Sequence, residues 1–253
     1  MTMDIRNLFR HDIDRHIEEV IKVNQTEETA LRRELGEYVV TDSIRRHYLE
    51  VFEAYNEMRT RPSEGAAVWV SGFFGSGKSS FAKNLGLALE NRRVGDSGAG
   101  DMLASQLSDA RASTLINLIH EHMPMKAVVF DVASDRGVQP GQTLTDITYR
   151  VVLRELGYSR DRDLAELEIA VEGDGRLDEF VAQYEERFGK DQWERDKNLV
   201  TFGISRAGQV AHAMYPETFP TATAWVEAQK GRADVTPRTL AERVLELLVR
   251  RHT

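Results

Sequence analysis

The chain has 253 residues, enough for one sizeable domain or a domain with an appendage, and 41% hydrophobic against 29% charged residues is the texture of a folded chain. A net charge of -8 argues against a surface given over to nucleic acid, and zero cysteines exclude disulfides and thiolate metal sites. No apolar run approaches the ~20 residues of a bilayer span. The opening MTMDIRNLFRHDIDRH lacks the apolar centre of a signal peptide, so no membrane is expected and the expected location is the cytoplasm.

Residues 1–62 read as a helical segment. Ile13, Ile17, Val20 and Ile21 recur at helical spacing, and Leu31 and Leu35 begin another face. Thr41 stands as N-cap before the stripe Ile44, Tyr48, Leu49, Phe52 and Tyr55, with Asp42 in the first turn. Pro62 and Gly65, in RTRPSEG, break the pattern, and residues 63–253 are expected to form a second domain. AAVWVS, residues 66–71, has the continuous apolar character of a parallel strand buried on both faces. SSFAKNLGLALE (79–90) reads as a short helix of small and apolar residues, and NRRVGDSGAGD (91–101) as a glycine-rich loop. Leu115, Leu118 and Ile119 restore helical spacing, then KAVVFDV (126–132) reads as a second buried strand.

Leu144, Ile147, Val151 and Val152 predict a helix ending near Gly157. Leu177, Phe180, Val181, Tyr184 and Phe188 predict another, closed by Gly189. YEERFGKDQWERDK reads as a charged face, and NLVTFGI (198–204) as a weaker third strand. The last helix starts with Thr236 as cap and Pro237 in first position, and carries the stripe Leu240, Val244, Leu247 and Leu248. The expected fold is α/β, with a central parallel sheet behind a helical N-terminal segment.

Between the first expected strand and the helix after it stands GFFGSGKS. Gly72, Phe73, Phe74, Gly75, Ser76, Gly77, Lys78 and Ser79 satisfy G-x-x-x-x-G-K-[ST], the phosphate-binding pattern of P-loop NTPases. Gly72 lets the chain leave a strand in a tight turn. Gly75 and Gly77 remove side chains so that backbone N–H groups can close around phosphate oxygens. The helix beginning at Lys78 aims free N–H groups and its positive end at the same anion. The Lys78 ammonium would reach the β and γ phosphates, the Ser79 hydroxyl would ligate Mg2+, and Ser80 is an extra phosphate or capping contact. ATP with Mg2+ is the expected ligand. Phe73 and Phe74 can stack near base or sugar, but a bulky pair after a strand is more often core, and the core is the expectation.

Phosphoryl transfer needs more than a cradle: an acid at a strand end, a group that orients the nucleophile, and an arginine. No Asp-Glu pair ends an apolar strand here, and Asp131, at the end of AVVFD, is the nearest candidate for the Mg2+ shell. Asp135 and Arg136 lie just beyond it. Arg154, Arg160 and Arg162 invite an arginine-finger or lid reading, but the interleaved Asp161 and Asp163 favour a self-paired loop. His120-Glu121-His122 lacks a third metal ligand and reads as a helix end.

DIDRHIEEVIKV, ELGEYVVTDSIRRHYLEVFEAYNEM and VWVSGFFGSGKSSFAKNLGLALEN together resemble the opening of the BREX phage-defence P-loop proteins, the BrxC/PglY family. The resemblance covers about residues 4–91 and is looser beyond; Ser80 departs from the bulkier polar residue or histidine of many relatives. It implies an AAA+-like ATPase that assembles, as a homo-oligomer and with other BREX proteins, to act on phage DNA. It also implies a longer protein whose Asp-Glu strand lies further on, so the chain is expected to be an N-terminal fragment. Direct contact with DNA by this segment is not favoured by its charge. Two alternatives stand beside this reading: a small P-loop kinase, and a nucleotide-sensing module without turnover.

Overall fold

The helical periodicities in the sequence are realised almost throughout. A computed structural model describes residues 6, 14, 22, 23, 25–61, 67–132, 142–199, 202–229 and 235–252. The stripe Ile13 to Ile21 and the break at Pro62–Gly65 lie outside them. By its contacts the chain divides into two compact units, residues 1–131 and 132–253.

In the first unit, α1 (Glu28–Glu37) buries Leu31 and Leu35. Helix α2 (Asp42–Thr60) is capped by Thr41, whose hydroxyl accepts the Ile44 N–H at 3.3 Å. Helix α3 (Lys78–Glu90) follows the glycine loop. The stretch 91–101, expected as loop, is instead a hairpin of β1 (Arg93–Val94) and β2 (Ser97–Gly98) running directly into α4 (Ala99–Leu107). Helix α5 (Ala110–His122) is capped by Asp109, which accepts the N–H groups of Arg111 and Ala112. Helix α2 packs on α5 and α3 packs on α4. Their shared core joins Tyr48 and Phe52 to Phe81, Leu103, Leu107, Ile116 and Ile119. Tyr48 ties α2 to α3 twice: its ring lies 4.3 Å from that of Phe81, and its hydroxyl donates to the Phe81 carbonyl at 3.2 Å.

The expected α/β architecture, a P-loop NTPase fold with a central parallel sheet, is not what the chain adopts. Among the described residues the one ladder is antiparallel, Arg93 opposite Gly98 and Val94 opposite Ser97, and the body is helical. The reason is visible at both expected strands. A parallel strand must be covered on both faces and give its N–H and C=O groups to neighbours. Val68, Trp69 and Val70 are exposed and in no ladder. Residues 127–130 are only half-buried, with Ala127 and Val129 against α3, and among the described residues they join no ladder.

The second unit holds α6 (Leu144–Glu155), α7 (Arg162–Gly173), α8 (Leu177–Phe188), α9 (Gln192–Leu199), α10 (Gly203–Met214), α11 (Ala224–Gln229) and α12 (Pro237–His252). Helix α7 is capped by Asp161 and α12 by Thr236, whose hydroxyl accepts the Thr239 N–H at 3.2 Å. The expected third strand, 198–204, is overturned: its described residues end α9 and start α10. The segment read as a charged face turns inward at α9, where Trp193, Asp196 and Lys197 are buried. Trp193 packs edge-on to Phe180 and Tyr184 at 5.0 Å from each, within a core completed by Leu164, Val210 and Trp225. Charged residues enter because each finds a partner. Asp196 accepts from the Tyr184 hydroxyl and the Arg206 guanidinium, both at 2.7 Å.

Candidate nucleotide-binding site

The glycine loop is a turn followed by a helix start. The Ser76 N–H bonds the Phe73 carbonyl at 3.2 Å, closing a four-residue turn with Phe74 and Gly75 at its corners. Gly75 sits at φ 77°, the left-handed value that the second corner of a type II turn demands. Gly77, at φ 84° and ψ 14°, is left-handed too, and its carbonyl accepts the Phe81 N–H to open α3. The N–H groups of Lys78, Ser79 and Ser80, ahead of that first bond, have no helical acceptor.

A Cβ added at Gly75 or Gly77 would meet nothing within 4 Å, so glycine is called for there by the left-handed backbone and not by a close neighbour. At Gly72 the constraint is contact: a Cβ there would come 2.8 Å from the Ser76 hydroxyl oxygen. The Lys78 ammonium folds back over the loop and donates to the carbonyls of Gly72 at 2.9 Å and Phe73 at 2.7 Å. Ser79 is exposed at the helix start, and Ser80 is half-buried. The N–H groups of the helix start, the Lys78 cation and the Ser79 hydroxyl are the groups that could hold the phosphates of a nucleotide and its Mg2+.

Phe73 and Phe74 depart from the core expectation, being 91% and 103% exposed, and Trp69 joins them at 91%. Asp131 is exposed, directly after the segment 127–130. That segment runs against α3 from its C-terminal end. Lys126 pairs with Glu90 at 2.7 Å, and a Cβ on Gly86 would meet Ala127 at 3.3 Å and Val129 at 3.2 Å.

Asp135 and Arg136 lie outside the described residues. Arg162 opens α7 and faces Asp146 at 3.6 Å, Arg154 lies 3.8 Å from Glu155, and Arg160 is exposed. His120 is a packing residue whose Nε2 lies 2.7 Å from the Ala88 carbonyl. Among the described residues no group of three or more His, Asp or Glu side chains is placed to hold a metal. A polar recess of about 400 Å3 opens between α4 and α5, but its Asp109 and Ser113 already serve the α5 start.

Sequence reasoning missed Lys83. It is 2% exposed on α3, and its ammonium donates to Glu34 of α1 at 2.5 Å and to the Lys22 carbonyl at 2.8 Å. A buried ion pair so bonded fixes α1 to the helix that carries the loop. The signal was there: one cation inside an otherwise small and apolar helix.

Compared with known proteins, the chain matches no family model, and no solved structure matches it at a significant level.

Proposed function

We propose that this chain binds ATP with Mg2+ through Gly72–Ser79, as the nucleotide-binding part of a BREX-type phage-defence ATPase. The observation that carries the nucleotide reading is one arrangement. An uninterrupted G-x-x-x-x-G-K-S runs into the first turn of a 13-residue helix, with left-handed glycines and the Lys78 ammonium bonded to the loop's carbonyls. The defence reading is supported by the resemblance of residues 4–91 to that family's opening. Lys78 neutralises phosphate charge, Ser79 offers its hydroxyl to the metal, and Asp131 is the candidate for the metal's outer shell. Work with other defence proteins, as a homo-oligomer, belongs to the same proposal.

The test is titration of the whole chain with a fluorescent ATP analogue in Mg2+. Lys78→Ala removes the one charge aimed at the phosphates and weakens binding by at least about tenfold, a charge-assisted contact being worth roughly 1.5–3 kcal/mol. Equal affinity of the wild type and Lys78→Ala overturns the site.

A further inference from the structure

Five exposed large apolar side chains, Val68, Trp69, Val70, Phe73 and Phe74, fall within seven residues at the mouth of the glycine loop. Large aromatics placed wholly in water are a departure that asks for a ligand or a partner. Phe81, eight residues on from Phe73, shows the contrast: it is buried against Tyr48. The geometry at Phe74 is specific. It occupies the first corner of the Phe73–Ser76 turn, whose second corner is Gly75, so its ring is carried outward at the tip of the loop that would hold the phosphates. A triphosphate seated there by Lys78 and the α3 start has its charged end accounted for, while its base is left with no polar group from this loop.

We propose that Phe74, with Phe73 before it in the same turn, is the platform on which the base of the bound nucleotide stacks; this rests on the phosphate-loop reading above. Every base has a π-face, so the site takes nucleoside triphosphates with weak discrimination between bases and prefers the larger purines. A single-stranded nucleic acid is a poorer occupant. Backbone tracking needs a row of cations, and Lys78 is the only charged residue from Ala67 to Ala82. One cation with one aromatic platform matches one nucleotide.

The experiment is calorimetric titration of the full chain with ATP, UTP and inorganic tripolyphosphate, each with Mg2+, for wild type, Phe74→Ala, Phe74→Trp and Lys78→Ala. Wild type is expected to bind ATP more tightly than tripolyphosphate. Phe74→Ala should weaken ATP by about 5- to 150-fold and leave tripolyphosphate unchanged. Phe74→Trp should keep ATP affinity, and ATP should exceed UTP. The ring makes no core contact, so these variants are expected to fold.

Unchanged ATP affinity in Phe74→Ala overturns the proposal. So does an equal loss for ATP and tripolyphosphate, which would mean a damaged loop, or a changed sedimentation coefficient with unchanged affinity, which would mean a protein-docking patch. Tripolyphosphate binding that depends on Lys78 with no gain from a base removes the stacking platform and leaves the phosphate loop standing. Tripolyphosphate binding indifferent to Lys78 removes the phosphate loop itself, and the stacking proposal with it.

Discussion

Glu168 of α7 is a carboxylate almost shut off from water, 3% exposed. Its Oε2 accepts the Ser159 N–H at 2.6 Å, and the Trp193 side chain donates to it as well. The Lys197 ammonium lies 3.8 Å from its Oε1 but closer, at 2.8 Å, to Glu194, which shares that charge and adds a repulsive one. Burial outweighs these donors and pushes the Glu168 carboxyl up to about 7, from an ordinary 4.5. A carboxyl raised on folding favours the protonated native state. Its contribution is full below pH ~4.5 and is lost as pH rises through about 7. Chemical denaturation of wild type and Glu168→Gln from pH 5 to 8 should show wild type losing stability relative to the variant, by up to about 3 kcal/mol. Parallel curves would refute the shift. At this scale the loop's turn and the helix start at Lys78 were readable in advance, because left-handed backbone at Gly75 and Gly77 calls for glycine locally. The exposure of Phe73 and Phe74 and the burial of Lys83 were not. Both depend on what lies across from them, which no local spacing encodes.

Helices were legible for a related reason: their hydrogen bonds and caps are local. Thr41, Thr236 and the stripe of α12 could be read directly because cap, first turn and face recur within a few residues. Strands depend on distant partners. AAVWVS and KAVVFDV carry the right composition, but an apolar run of this length is also compatible with a segment laid on a helix, as Ala127 and Val129 are against Gly86. Two helical glycines separate the local from the tertiary contribution. Gly36, exposed in α1, has open space where a Cβ would stand. Gly36→Ala should stabilise by about 0.5–1 kcal/mol through helix propensity. Gly208 of α10 would place a Cβ 2.3 Å from the Ala222 carbonyl oxygen. Gly208→Ala should therefore destabilise by about 1–3 kcal/mol despite the same propensity gain. Thermal melts that move in the same direction for both would contradict the packing seen at α10.

For the molecule as a whole, the nucleotide reading carries a limit on turnover. The expected sheet would have presented an acid at a strand end beside the loop; the helical body leaves Asp131, on an unladdered segment, as the candidate. Asp161 and Asp163, interleaved with Arg160 and Arg162, favour a self-paired loop over an arginine finger. Without a finger, phosphoryl-transfer rates are lower by about 10³–10⁵. Steady-state phosphate release by this chain with ATP and Mg2+ should therefore not rise above the Lys78→Ala background. Lys78-dependent turnover that is independent of protein concentration would show a complete site and make Asp131 its leading metal-shell residue.

On the proposed phosphate reading, the ammonium of Lys78, resting on the carbonyls of Gly72 and Phe73, would make anion capture a swap rather than an addition. The charge that a phosphate would recruit already ties the Lys78 side chain to the loop's own backbone. A phosphate would compete with two backbone dipoles for one cation, and the carbonyls it displaced would turn to water. Weak anions would lose that contest, and polyphosphates, offering several oxygens at once, would win it. The lysine would in this way act as a threshold, setting how much negative charge a visitor must bring to draw it off the backbone.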